Sequence, residues 1–293
     1  MILVSVALTV IAAIVIAIKY TKNLNLLTTV ESVVKADVNQ WLSVFAVIGV
    51  ACAMIFVLFK RRKNLFAHDL QTPNKTIPIK LLISLVLLLL MVQFITGVWG
   101  IFVETVANFL GYTLFSAPDS INQSNNDWIL LIYSSLLAPV TEEIVFRGVI
   151  LSGLKKYGKV FAIITSAILF AFTHGNFVQG LLAFCSGLIF GYVSTEYAIK
   201  WAIVLHIINN LFINNFVIKA IGMLPLEIQP GVCILFILAG VYILFINRVK
   251  IKNYLANNKS PQNTYFIGWT SAWFIIYLGF QLASALTSFI KIE

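Results

Sequence analysis

Three charged side chains interrupt a long apolar run of the sequence, at Glu142, Glu143 and Arg147. On the mildest scale a charged side chain in hydrocarbon costs at least ~2.5–3.5 kcal/mol, so this concentration of charge needs a physical reason. The usual reasons are a catalytic site, an ion path or a buried structural ion pair. A carboxylate held in such a place can serve as a general base or as a metal ligand.

Helical spacing divides the roles of these three residues. Glu143 and Arg147 are four positions apart, so they share one face of a helix and can pair. Glu142 is offset from its neighbour by about 100° around the helix and can face elsewhere. The spacing therefore favours Glu143 with Arg147 as a self-satisfied ion pair, and Glu142 as the carboxylate that does chemistry.

Other polar side chains lie within separate apolar runs. His174 comes four positions after Phe170, and His206 comes four positions before Asn210, so each pair shares one face of its helix. We expect three helices to direct Glu142, His174 and His206 with Asn210 into one polar cavity. Such a set of carboxyl and imidazole groups is suited to general acid–base catalysis near neutral pH.

Each of these side chains also has a purely structural explanation. An ion pair, an interhelical hydrogen bond from Asn210, a bridging histidine and core packing by Phe170 would each account for one observation. Asn209 is a second candidate for the role of its neighbour, although the four-residue spacing favours Asn210. Polar residues on three different apolar segments are explained better by one functional cavity than one at a time.

The composition indicates a polytopic membrane protein. Of the 293 residues, 60% are hydrophobic and 11% are charged, whereas soluble domains carry about 25% charged residues. The net charge of +9 does not indicate a nucleic-acid partner, because the basic residues lie between apolar segments and no glycine-rich phosphate loop is present. The positive-inside rule explains these basic residues better.

The elements that must position the polar residues are membrane helices of about 20 mostly apolar residues each. The sequence predicts an all-α, polytopic transmembrane bundle of about eight or nine helices. We expect the first to be retained rather than cleaved as a signal peptide, because it has no basic flank and no clear cleavage site. The candidate spans are residues 2–18, 41–59, 79–103, 129–153, 160–174, 177–194, 200–217, 231–247 and 265–288.

The chain divides into three predicted regions: N-terminal helices of unknown role at 1–76, a core with all the motifs at 77–250, and a cytoplasmic loop with the last helix at 251–293. The positive-inside rule places the N-terminus in the cytoplasm and the C-terminus outside. This orientation follows because most of the 20 Lys and Arg residues fall around 60–80, 147–159, 195–200 and 248–259.

The junction at Gly175-Asn176 predicts a tight turn between two spans. His174 lies near the outer end of its predicted span, whereas His206 lies nearer the inner end of its own. Their convergence therefore requires tilted helices or a different boundary around 174–177. We favour the different boundary.

The three motifs together resemble one known family. Glu-Glu-x-x-x-Arg at 142–147, Phe-x-x-x-His at 170–174 and His-x-x-x-Asn at 206–210 look like the CPBP family of CAAX prenyl proteases and bacteriocin-processing proteins, also called Abi. The motifs occur in the family's order, and the resemblance covers roughly residues 128–217. It implies an enzyme, an intramembrane endopeptidase.

The resemblance also implies roles for the individual residues. By analogy with the family, Glu142 and His174 would activate the attacking water, and His206 and Asn210 would bind the developing oxyanion through preorganised donors. The residues with an implied orienting role are Glu143, Arg147 and Phe170.

Whether a metal ion takes part is left open by the sequence. The family is classed with the metallopeptidases, and Glu142, His174 and His206 are chemically plausible zinc ligands that would leave one position open. However, the sequence contains no His-Glu-x-x-His motif. Activation of water with zinc and without it are therefore both compatible with these residues.

The leading hypothesis is hydrolysis of a peptide bond in a membrane-associated or lipidated peptide or protein. The expected partners are the lipid bilayer and this substrate, with no nucleic acid, and the composition suggests a bacterial cell membrane. The alternative is a non-enzymatic protein for bacteriocin immunity or scaffolding that keeps the motifs structurally. A proton-coupled transporter is a third hypothesis, but the sequence shows no pair of repeated halves.

Overall fold

The computed structural model describes residues 75–114 and 128–292, together with 48–49, 51–52, 54–56 and 59. The predicted span 2–18 and most of 41–59 lie outside the described residues. The described part of the chain is almost entirely helical, which confirms the all-α class. Besides helices and loops, this part of the chain contains two strands of two residues each.

The chain forms two compact units. Unit 1 consists of Met1–Lys63 and Pro118–Thr141, and its described residues include a helix, α2, built from an α-helical turn at Trp128–Ile132 and a π-helical turn at Tyr133–Leu137. Unit 2 consists of Asn64–Ala117 and Glu142–Glu293. Every residue of the predicted site lies in unit 2.

Most of the described helices belong to unit 2. Helix α3, whose residues 138–141 are assigned to unit 1, has an α-helical start at Ala138–Glu143, a π-helical middle at Ile144–Leu151 and an α-helical end at Ser152–Leu154. Helix α6, Ile199–Gly222, is π-helical over Ile208–Ile218. The others are α1 (Ile79–Phe109), α4 (Lys159–Phe172), α5 (Phe177–Glu196), α7 (Gln229–Asn257), α8 (Thr264–Trp269) and α9 (Ala272–Leu286).

Four helices of the described part are long and apolar enough to cross a membrane, namely α1, α5, α6 and α7. The protein is therefore an integral membrane protein, while the predicted total of eight or nine spans stays a prediction. Helices α4 and α9 are apolar but shorter. Helix α7 extends past residue 250, so the predicted loop at 251–293 begins as helix, and the predicted span 265–288 is divided at Thr270 and Ser271 into α8 and α9.

Helix α5 lies at the centre of unit 2 and packs against α1, α4, α6 and the π-helical part of α3. Small residues at Ala183, Gly187 and Gly191 recur every four positions along it, which lets neighbouring helices approach closely. A Cβ atom at Gly191 would lie 3.1 Å from Cγ2 of Ile163 on α4. The glycine stripe therefore sets the close spacing of α4 and α5.

The turn between α4 and α5 is tight, as predicted. Helix α4 ends at Phe172, Gly175 adopts a left-handed conformation with φ of +57°, and Asn176 caps the start of α5. Its side-chain oxygen accepts hydrogen bonds from the backbone nitrogens of Val178 at 2.8 Å and Gln179 at 3.1 Å. This boundary leaves His174 outside the helix, in the turn itself.

The two strands pair with each other in antiparallel register. Strand β1 is Tyr112–Thr113, after α1, and β2 is Ile290–Lys291, near the C-terminus. The backbone nitrogen of Ile292 also donates to the carbonyl of Gly111 at 2.8 Å. The pairing fixes the end of the chain to the end of α1.

Candidate active site

Arg147 and Glu143 form a fully buried ion pair, as their spacing predicts. The Nη1 atom of Arg147 lies 3.0 Å from Oε1 of Glu143, and both side chains are 0% exposed. The Nη2 atom donates to the carbonyl of Gly187 on α5 at 3.2 Å, and the guanidinium lies 4.6 Å from the centre of the Phe170 ring. Arg147 therefore links α3 to both α4 and α5.

Glu143 has a second partner that its own helix does not supply. The Nδ1 atom of His206 lies 2.9 Å from the same Oε1 atom of Glu143. Because a carboxylate oxygen can only accept, Nδ1 carries the proton, and Nε2 is the nitrogen that faces away from Glu143. The imidazole also stacks on Phe190 with ring centres 4.7 Å apart. Glu143 thus holds the ring of His206 in one orientation.

Glu142 faces a different environment from its neighbour, in agreement with the offset predicted for adjacent helical positions. Its side chain is 20% exposed, against 0% for Glu143. Its Oε2 atom lies 3.7 Å from Nε2 of His206, which is too long for a hydrogen bond but close enough for a charge interaction. Glu142 is therefore a partly accessible carboxylate beside Nε2 of His206.

His174 joins this group from the turn after α4. Its Nδ1 atom donates to the carbonyl of Phe170 at 3.0 Å, because a carbonyl can only accept. Nε2 of His174 therefore faces away from that carbonyl. The Phe170 ring meets the ring of His174 edge-on at 4.9 Å and that of His206 at 5.7 Å. The two histidines therefore converge on one phenyl ring, and the earlier end of α4 replaces the predicted boundary at residue 174.

The asparagines lie where α6 becomes π-helical, beginning at Ile208. Asn209 is buried, and its Nδ2 atom donates to Oδ1 of Asn210 at 3.1 Å. The Nδ2 atom of Asn215 donates to the backbone carbonyl of Asn210 at 2.8 Å. The four-residue argument assumed α-helical geometry here, and the wider π turn changes which asparagine is enclosed.

Several residues of the site were not anticipated from the sequence, namely Gly187, Phe190 and Ser166. Ser166 is buried on α4 and donates to the carbonyl of Phe146 on α3 at 2.8 Å, which fixes these two helices together. The regular spacing of small residues along α5 is the one signal that could have identified Gly187 as a point of close approach.

The three candidate zinc ligands do not form a recognisable metal site. Within 75–114, 128–292 and the few described residues before them, no three His, Cys, Asp or Glu side chains are grouped so that they could hold a metal ion. Nδ1 of His206 is hydrogen-bonded to Glu143 and Nδ1 of His174 to the Phe170 carbonyl, so Nε2 is the nitrogen with which either ring would bind a metal.

Residues 124–212 match the family model of Rce1-like, type II CAAX prenyl endopeptidases. This segment contains all three sequence motifs, with Glu142, Glu143, Arg147, His174, His206 and Asn210. No curated protein and no solved structure matches the chain.

Proposed function

We propose that the protein is an intramembrane endopeptidase, because its motif-bearing residues 124–212 match the family model of Rce1-like, type II CAAX prenyl endopeptidases. Its substrate is a membrane-associated or lipidated peptide or protein, and a prenylated cysteine near the scissile bond is the first chemistry to test. The matched family consists of endopeptidases, which supports hydrolysis of a peptide bond.

One observation carries the proposal: Glu142 is partly exposed, whereas the neighbouring charges are already compensated by each other. Glu143, Arg147 and His206 form a closed set of contacts at 2.9–3.0 Å. Glu142 is not needed to neutralise Arg147, so its carboxylate is left to act on a water molecule. With Nδ1 protonated, Nε2 of His174 and Nε2 of His206 can each accept a hydrogen bond in the neutral ring and donate one in the charged ring.

In the proposed mechanism Glu142 acts as general base and then as general acid. Its carboxylate removes a proton from a water molecule that Nε2 of His174 helps to orient, and the oxygen attacks the peptide carbonyl. Collapse of the tetrahedral intermediate breaks the C–N bond, and Glu142 returns the proton to the leaving amine. The products are a free carboxylate and a free amine, with one water consumed.

His206 and Asn210 stabilise the oxyanion of the intermediate in this mechanism. Nδ1 of His206 donates its hydrogen bond to Glu143. The ring can therefore donate a second hydrogen bond through Nε2 only when both ring nitrogens are protonated. Glu143 is then the carboxylate that orients this imidazole and balances its charge, as the aspartate of a catalytic triad does for its histidine. Its proposed role is accordingly wider than pairing with Arg147.

Localisation to a bacterial cell membrane is part of the proposal and rests on the composition, and a cytoplasmic N-terminus is part of it and rests on the Lys and Arg distribution. Reporter fusions at the N-terminus and after α7 would test it. The proposal predicts both on the cytoplasmic side.

The test is a cleavage assay on protein reconstituted in lipid nanodiscs. The probe is an internally quenched peptide ending in a farnesylated Cys-aliphatic-aliphatic-Met sequence, with the unprenylated peptide and a peptide library alongside. The Glu142→Ala and His174→Ala variants should each abolish cleavage with the protein still folded. Full activity in either variant would overturn the assignment of these residues.

Metal analysis of the same preparations addresses the zinc question. Metal bound in the parent and lost in Glu142→Ala would make Glu142 a ligand. Metal content that is the same in both, with cleavage lost, would support its role as the base.

A further inference from the structure

We infer that Tyr277 on α9 is a positioning residue for His174, an inference that rests on the proposed function for its catalytic consequence. Residues 264–292, here called the C-terminal segment, lie outside the part of the chain that matches the family. They include α8, α9 and β2. Contacts along α4 indicate that this segment holds the helix end from which His174 projects.

The C-terminal segment follows α4 from its first turn. Tyr265 meets the ring of Phe161 edge-on with centres 5.2 Å apart. One turn later, the indole Nε1 of Trp269 donates to Oγ1 of the buried Thr165 at 3.1 Å. These two contacts align α8 with the first half of α4.

The decisive contact lies in the last turn of α4. The hydroxyl of Tyr277 donates to the carbonyl of Leu169 at 2.9 Å, and the buried amide of Gln281 donates to that hydroxyl at 3.4 Å. Because the last carbonyls of a helix have no complete set of intrahelical partners, an outside donor stabilises them. The very next carbonyl, that of Phe170, is the one that accepts the Nδ1 proton of His174.

The C-terminal segment also contacts the turn on the other side of His174. A Cβ atom placed on Gly175 would lie 3.2 Å from Oγ of Ser284, so the side chain of Ser284 closely approaches the backbone of Gly175. Beyond the turn, Phe177 and Phe289 have ring centres 5.7 Å apart. Leu169, five positions before His174, and Gly175, directly after it, are thus both in contact with the same segment.

His174 depends on these contacts because it lies outside the helix. Its backbone nitrogen donates to the Ala171 carbonyl at 3.2 Å, and its ring is tethered to the Phe170 carbonyl. Both acceptors belong to the turn that Tyr277 holds. A displacement of about 1 Å in a catalytic group can cost ~100-fold in rate, so loss of this hydroxyl should be felt at the site.

The experiment compares Tyr277→Phe with Tyr254→Phe. The hydroxyl of Tyr254 donates to Oε1 of Glu196 at 2.9 Å, beside Lys159 at the start of α4. Each variant therefore loses one tyrosine hydroxyl with one protein acceptor, but Tyr254 contacts the end of α4 that lies about 20 Å from the His174 turn, at 1.5 Å rise per residue. Gln281→Met, which removes only the second hydrogen bond, provides a milder variant of the same contact.

The first readout is independent of catalysis: the rate at which diethylpyrocarbonate modifies His174, measured by mass spectrometry against His206 in the same molecule. The expected result is a several-fold increase for Tyr277→Phe, a smaller increase for Gln281→Met and no change for Tyr254→Phe. An unchanged rate in Tyr277→Phe, or an equal increase in Tyr254→Phe, would overturn the inference.

The second readout is cleavage of the farnesylated peptide. Tyr277→Phe should lower kcat about tenfold with KM within about twofold, while Tyr254→Phe stays within about twofold of the parent in both. A parental kcat in Tyr277→Phe would contradict the catalytic consequence. If the parent cleaves neither the farnesylated peptide nor any library peptide, the proposed function fails, and the modification rates still decide whether Tyr277 positions His174.

Discussion

Two carboxylates of unit 2, Glu143 and Glu196, make the same pattern of contacts in opposite environments. Each places one oxygen between a cation and a group carried on an aromatic ring. Glu143 is paired with Arg147 at 3.0 Å, with both side chains 0% exposed. Glu196 is paired with Lys159 at 2.8 Å, with side chains that are 24% and 42% exposed.

The difference in burial determines what each cluster can do. In the interior a charge without its partner cannot be compensated by water, so the contacts around Glu143 must form together and stay formed. At the exposed end, water and salt replace a lost partner at little cost. The buried cluster is therefore a rigid support for the side chains proposed to be catalytic, and the exposed cluster adds little to the stability of helix packing.

The largest effect on stability is expected from Arg147→Met, which leaves Glu143 charged and buried. We expect the free energy of unfolding to fall by ~3–5 kcal/mol, because breaking a buried pair strands one charge. Chemical denaturation in detergent measures it. The double variant Glu143→Gln with Arg147→Met should recover part of this loss, and a double variant as unstable as the sum of its parts would contradict the pairing.

A smaller loss is expected from Gly187→Ala on α5. Its new Cβ atom would lie 3.1 Å from Nη2 of Arg147 and 3.3 Å from Cδ1 of Phe170, so the tightly packed site must shift, at a cost of ~1–3 kcal/mol. Gly153→Ala is the matched control, because its Cβ meets nothing within 4 Å. That substitution in a helix should instead stabilise by ~0.5–1 kcal/mol. Equal effects of the two variants would show that close packing at Arg147 is not the cause.

The smallest effect is expected from Lys159→Met at the exposed cluster. The loss should be at most ~1 kcal/mol and should shrink further in high salt, because exposed ion pairs are weak and screened. Melting curves at low and high ionic strength measure this. A loss as large as that of Arg147→Met would mean that burial does not separate the two clusters.

Contacts within one helix could be predicted from the sequence. The four-residue spacing identified the pair of Glu143 and Arg147, and the offset of adjacent positions separated Glu142 from it. The class of fold followed from the apolar segments. These predictions depend only on local geometry, which the residue order fixes.

Contacts between distant segments could not be predicted in the same way. The bond of His206 to Glu143 and that of Tyr277 to Leu169 join residues 63 and 108 positions apart. They depend on how helices pack and not on the period of one helix. The sequence indicated a different boundary around 174–177 but not its position at Phe172, and it did not indicate the π-helical turn at Ile208, because tertiary packing and not local pattern decides where an apolar helix ends or widens.

The most direct measurement compares Glu142→Gln and Glu143→Gln in the same cleavage and melting assays. We predict that Glu142→Gln loses at least ~100-fold in cleavage rate with an unchanged melting temperature, because a general base is removed and no buried charge loses its counter-ion. Glu143→Gln should lower the melting temperature, since Arg147 is left without its counter-ion. If Glu142→Gln cleaves as fast as the parent, or gives the parental phenotype in cells, Glu142 is not the general base, and a non-enzymatic immunity or scaffolding role is favoured.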